Sequence, residues 1–127
     1  MESALPVIGL LAWLQVKHFV ADYLLQPSWI LEAKGDFRRA GGYAHAAIHA
    51  AGTIPGLLLF GLGGMTVAAL ALGEFVIHFL IDHLKAVHSR SHPADVTTRA
   101  YWAAHGFDQL LHQLTYTAIL LVAVTYS

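Results

Sequence analysis

The chain predicts an all-α integral membrane protein, an antiparallel bundle of four transmembrane helices with a short interfacial helix between the first and second. Three observations carry that expectation. Composition is 57% hydrophobic and only 12% charged, with a mean hydropathy of +0.57, well outside the range of soluble domains. Four apolar stretches reach the roughly 20 residues that a spanning helix needs. Each stretch also carries His and acidic residues repeating every three or four positions, which puts them on one helical face.

The first helix is expected over residues 4–26, ended by Pro27, which cannot donate a backbone hydrogen bond and disfavours helix in the residue before it. Its apolar run contains Lys17, His18 and Asp22 and lacks a basic leader or cleavage site, so it reads as a mature helix. Residues 27–42 join Trp29, Ile30 and Leu31 to the charged Glu32, Lys34, Asp36, Arg38 and Arg39, a pattern suited to a short interfacial helix. The second helix spans about 43–62, between Gly41-Gly42 and a glycine group at 61, 63 and 64, with Pro55 as a point of kinking. So few residues then remain that it forms a tight hairpin with the third helix, about 65–87. A polar loop with His88, Arg90, His92, Pro93 and Asp95 leads to the fourth helix, 99–126. The whole chain, 1–127, reads as one membrane domain, with the lipid bilayer as its first partner.

Lys34, Arg38 and Arg39 lie in the first loop and Lys85, Arg90 and Arg99 in or beside the third. The positive-inside rule puts those loops in the cytoplasm and both termini outside. A net charge of -1 without a basic patch excludes nucleic acid as a partner. The absence of cysteine excludes disulfides, thiolate metal sites and cysteine nucleophiles.

At 1.5 Å per residue, the polar stripes reach a common depth. His18 and Asp22 fall roughly 13 and 7 Å from the end of the first helix, and His45 and His49 within roughly the first 9 Å of the second. His78 and Asp82 lie about 14 and 8 Å from the end of the third helix, with Glu74 deeper, and His105, Asp108 and His112 at roughly 9 to 20 Å along the fourth. All four stripes therefore border the cytoplasmic half. The outer halves, with Val7 to Leu11, Leu57 to Phe60, Val67 to Leu72 and Ala118 to Val124, are plain packing surface, in which Gly56, Gly61, Ala68 and Ala69 would allow close helix approach.

His and Asp at i, i+4 can present two ligands to one ion, and helix bundles gather such ligands from facing helices. The candidate ligands are His18, Asp22, His49, His78, Asp82, Asp108 and His112. The metal would be a divalent transition ion: zinc, manganese, iron or nickel. Seven ligands exceed one ion's needs, implying either two ions or one ion with orienting carboxylates and a general base. Asp82, Asp108 and Glu74 are the candidate catalytic carboxylates, although Glu74 equally reads as a deeper ligand, a proton-path residue or a partner of His112. Lys85, with Arg38 and Arg39, would hold the anionic headgroup of an amphiphilic substrate, or merely enforce topology. His45 and His105 are expected to be solvated, His83 to lie off the stripes, Lys17 to lie off its stripe and snorkel to the interface, and Gln15 and Gln26 to lend hydrogen bonds. Trp13, Trp29, Tyr101 and Trp102 suit interfacial anchoring or packing. The competing readings are interhelical hydrogen-bond pairs in a non-catalytic subunit, a proton or metal-ion transporter, and a haem bundle.

The segments Lys17-His18-Phe19-Val20-Ala21-Asp22-Tyr23-Leu24-Leu25-Gln26, His45-Ala46-Ala47-Ile48-His49, Glu74 through His78 and Asp82 to Lys85, and Asp108-Gln109-Leu110-Leu111-His112 resemble the bacterial membrane family known as domain of unknown function 3307. The resemblance implies four helices and an inner-membrane location, without an activity. A looser likeness, in His and Asp near the ends of membrane helices, is to predicted membrane-bound metal-dependent hydrolases.

Overall fold

The computed structural model describes residues 4–127. Among them every regular element is helical: α1 (Ala4–Phe19), which runs on into a π-helical turn (Val20–Leu24), α2 (Ser28–Ala33), α3 (Ala40–Leu59), α4 (Gly64–Ser91) and α5 (Arg99–Tyr126). Three stretches are long and apolar enough to cross a membrane: α1 with its π turn, α4 and α5. The second expected span, now α3, is not among them. Two His residues, Tyr43, Thr53, Pro55 and four glycines dilute the apolar content of its 20 residues.

The π turn is closed by the Leu25 N–H donating to the Val20 carbonyl at 3.0 Å. That wider turn displaces the regular backbone ladder, and the Gln26 side-chain amide donates to the Asp22 carbonyl at 2.9 Å. Pro27 then takes an extended conformation and opens α2, whose Ile30 and Ala33 are buried. They seat α2 on the first turn of α3 at Gly41, where a Cβ would come within 2.6 Å of the Ala33 methyl and 2.9 Å of the Trp29 carbonyl oxygen. Farther along, Gly52 and Gly56 give α3 a small-residue face one turn apart. Against it lie Lys17 and Trp13 of α1, and Trp13 Nε1 donates to the Gly52 carbonyl at 2.8 Å. Trp13 thus serves packing.

The hairpin between α3 and α4 is a Schellman stop. Gly61 (φ 97°) takes the left-handed conformation, Gly61 N–H donates to the Leu58 carbonyl, and Leu62 N–H to the Leu57 carbonyl. Leu57 and Leu62 then join Leu10, Leu14, Val67, Ile119 and Ala123 in the apolar core. This core fills the hairpin end of the molecule, in the halves that the sequence marks as plain. The opposite end is polar.

There α4 runs to Ser91, so His88 is helical rather than in a loop. The Arg90 guanidinium donates to the carbonyls of Lys34 (2.6 Å) and Gly35 (3.1 Å), clasping the segment after α2 onto α4. Thr98 caps α5 by accepting from the Tyr101 N–H. Beside it, Asp95 accepts from the Thr97 hydroxyl and amide, which holds its carboxyl below the usual range.

Because the Gly41 contact is partly to backbone, Gly41→Ala should cost about 1–3 kcal/mol and loosen α2. Gly63→Ala, with open space and φ of −68°, should be neutral to slightly stabilising. Thermal unfolding in detergent compares the two variants.

Candidate metal centre

Each of α3, α4 and α5, and α1 together with its π turn, delivers an i, i+4 pair to the same interior region: His18 and Asp22, His45 and His49, His78 and Asp82, Asp108 and His112. All five His side chains are buried, His45 and His49 completely. Their Nε2 atoms converge on two carboxylates. Asp22 Oδ1 lies 2.9 Å from His49 and 3.1 Å from His45, and Asp22 Oδ2 lies 3.0 Å from His18. Asp82 Oδ1 lies 3.1 Å from His112, while its Oδ2 lies 3.3 Å from His78 and 3.5 Å from His45. Asp108 Oδ1 is 3.5 Å from His112. The His49 and His78 rings stack with centroids 3.8 Å apart, and the His112 ring lies tilted against His78 at 4.2 Å.

Two of these contacts are hydrogen bonds, His49 Nε2 with Asp22 Oδ1 and His112 Nε2 with Asp82 Oδ1, and the rest of the cluster is only close. Both nitrogens of His45 and of His78 and Oδ1 of Asp108 are buried without a hydrogen-bond partner, while Asp82 Oδ2 is ion-paired with Lys34 at 2.8 Å. Each such group carries a desolvation penalty of about 1–3 kcal/mol, more where it is charged. Lone pairs on nitrogen and oxygen that face one another at about 3 Å are what a cation between them would satisfy. Two groups have donor atoms all within 4.8 Å of one another and could hold a metal ion: Asp22, His45, His49 and His78, and His78, Asp82 and His112. His78 belongs to both.

A second layer fixes the rings. His18 Nε2 is 2.9 Å from the Gln109 side-chain oxygen, so it carries the proton and its Nδ1 accepts from the Tyr116 hydroxyl at 2.7 Å. The Tyr116 oxygen, its one proton committed, can only accept from its other neighbours, Lys17 Nζ at 3.3 Å and His49 Nδ1 at 3.4 Å. His49 Nε2 lies 2.9 Å from Asp22 Oδ1 and donates to it when it carries the ring proton, whereas the tautomer that donates from Nδ1 to Tyr116 would leave Nε2 free to ligate. Lys17 is in turn paired with Glu74, both buried, and its ammonium lies 4.5 Å from the Tyr116 ring centroid.

Several sequence expectations are corrected here. His45, expected to be solvated, is completely buried in the cluster. Lys17, expected to reach for the interface, is buried against Glu74, and Glu74 is therefore a lysine partner rather than a partner of His112. Gln15 is exposed and supports nothing in the cluster. His105 is half-buried, with its Nδ1 3.3 Å from Lys85 Nζ. Arg38 and Arg39 are exposed, and Arg39 spends its guanidinium on the Glu32 carbonyl. Lys34, read only as a topology signal, reaches Asp82 Oδ2 at 2.8 Å. His83 stands outside the cluster, stacked on Phe37 at 3.9 Å. Tyr116 carried a signal that could have been used, since Asp108, His112 and Tyr116 continue one stripe at steps of four.

Access runs from the polar end. A cleft of about 320 Å³ opens onto Asp22, Asp82 and Asp108, with Lys34, Lys85 and His105 at its rim. Lys85 stands 3.5 Å from Asp108 and is one-third exposed (33%).

The fold and site define an all-helical protein, with apolar helices compatible with a membrane, whose buried His and Asp groups could bind a metal ion. The chain belongs to the family described as "Protein of unknown function (DUF3307)", which it matches over residues 10–127. No curated protein and no solved structure matches it.

Glu74→Leu should strand the buried Lys17 charge and cost about 3–5 kcal/mol, whereas Lys17→Met combined with Glu74→Leu should recover most of that loss. A double-mutant cycle by thermal unfolding in detergent measures the coupling, and additive losses would contradict it.

Proposed function

We propose that this chain is a four-helix protein of the bacterial inner membrane that binds one or two divalent transition metal ions near the cytoplasmic side and uses them to hydrolyse an amphiphilic substrate. In this reading α3 crosses the membrane as the fourth span, shielded by its neighbours. The carrying observation is the convergence of four imidazole Nε2 atoms, those of His45, His49, His78 and His112, on Asp22 and Asp82. His18, whose Nε2 carries its proton, donates beside them rather than serving as the ligand the sequence suggested. A single Nε2 lone pair serves one ion. Two ions would therefore divide the ligands as Asp22, His45 and His49 against His78, Asp82 and His112, three each, which leaves open positions of the catalytic kind. Donors that are all imidazole or carboxylate suit zinc foremost, with manganese, iron and nickel as the other candidates.

When bound, such an ion supplies Lewis acidity towards an ester or phosphoester and lowers the pKa of water. The chain's own residues supply the rest. Asp108 lines the cleft with its Oδ1 unbonded, placed to accept a proton. Tyr116 and Gln109 hold His18, and Tyr116 also steadies His49. Lys34 and Lys85 place positive charge where an anionic group would enter. Glu74, held by Lys17, takes no part in the acid–base chemistry. Among the described residues the buried polar side chains end about one turn deeper, at Lys17, Thr53 and Glu74, and the core beyond them towards the hairpin end is apolar, which speaks against ion conduction.

Protein purified without a His tag should carry one or two equivalents of transition metal by elemental analysis, and Asp22→Ala and Asp82→Ala should each lose metal. Folded protein that stays metal-free after incubation with each candidate ion would overturn the reading. Tyr116→Phe should keep the stoichiometry and weaken metal affinity about 10–100-fold. Asp108→Asn should keep the metal and lower hydrolysis of a chromogenic phosphoester about 10²–10⁴-fold.

A further inference from the structure

The polar cleft continues past its lysine rim. Lys85 and Asp108 also line a second cavity, of about 360 Å³, between α4 and α5. Apart from His88, its remaining walls are apolar: Ile81, Leu84, Ala104, Phe107 and Leu111. One pair of residues thus joins a cleft rimmed by Lys34, Lys85 and His105 to an apolar groove. Leu84 (67% exposed) and Phe107 (61% exposed) stand at the groove's outer edge, so it opens sideways, between helices that are each of membrane-spanning length.

That juxtaposition has the polarity of a lipid. Cations gather at one end and hydrocarbon at the other, with two charged side chains at the boundary. We infer that the ligand of this site is a single-chain anionic amphiphile bearing a phosphate headgroup, which enters laterally between α4 and α5. Its headgroup sits between Lys34 and Lys85, and its chain lies along Ile81, Leu84, Phe107 and Leu111. The assignment rests on the reading of the His/Asp cluster as a metal centre, because the three cleft carboxylates need a cation before an anion is welcome beside them. Lys85 suits the role because its pairing with Asp108 is long and it remains partly exposed. Two lysines at the membrane surface attract an anionic headgroup, and the groove adds the apolar contact that a free phosphate lacks.

Native mass spectrometry of the full chain in detergent reads bound metal and bound lipid in the same spectrum. The probes are hexadecyl phosphate, the neutral hexadecyl maltoside, and inorganic phosphate alone. Hexadecyl phosphate should be retained at least about tenfold more tightly than either control. Lys85→Ala and the groove-filling Ala104→Trp should each erase that preference while leaving metal stoichiometry unchanged. Lys85→Ala, on a partly exposed side chain, keeps the test decisive if Ala104→Trp does not fold. Equal retention of the neutral amphiphile, phosphate alone binding as tightly, or indifference to Lys85→Ala would each overturn the inference. A metal-loaded protein that shows no preference refutes the lipid assignment alone, whereas a metal-free spectrum refutes the metal centre.

Discussion

Burying Asp22 and Asp82 among apolar helices is the constraint on which the rest of the molecule depends. A carboxylate removed from water loses many kcal/mol of solvation unless charge and hydrogen bonds replace it. Five imidazoles and Lys34 surround the two groups, drawn from α1, α3, α4 and α5 and from the segment after α2. Four buried or half-buried carboxylates, those of Asp22, Glu74, Asp82 and Asp108, face only three ammonium groups, those of Lys17, Lys34 and Lys85. The imbalance of one positive charge is what a protonated imidazole of the cluster or a bound cation would make up.

The helical framework serves that cluster. Gly41 lets α2 sit on α3, and Gly52 and Gly56 bring α1 close enough for Lys17 and Trp13 to pack across the contact. Arg90 fastens the Lys34 segment to α4, so that one lysine from outside the long helices is delivered to Asp82. At the hairpin end the demands reverse, and ordinary aliphatic packing suffices.

The i, i+4 stripes made the cluster legible in the sequence, because helical phase alone decides which residues share a face. What phase cannot supply is the cover from a neighbouring element. His45 stands near the start of α3, where depth along one helix implies water, but α2 docks at Gly41 one turn away and seals it. Lys17 lies off its stripe, and its burial depends on the room left by Gly52 and on Glu74 of another helix, 57 positions on. Boundaries fared similarly: α5 follows its apolar pattern from Arg99 to Tyr126, whereas α4 outruns the apolar pattern because Arg90 is held by carbonyls of the α2 segment.

The composition of α3 also bears on how the protein is made. A segment carrying His45, His49, Pro55 and four glycines has little tendency to leave an insertion machinery sideways into lipid on its own. It is tied to α4, by contrast one of the three strongly apolar helices, through only the four residues of the Gly61 stop, 60–63. For a four-span protein, the two would enter the bilayer together as a helical hairpin. The Schellman turn would then be a unit of biogenesis as well as of packing, and the carboxylates of α4 would meet the imidazoles of α3 before α5 is synthesised.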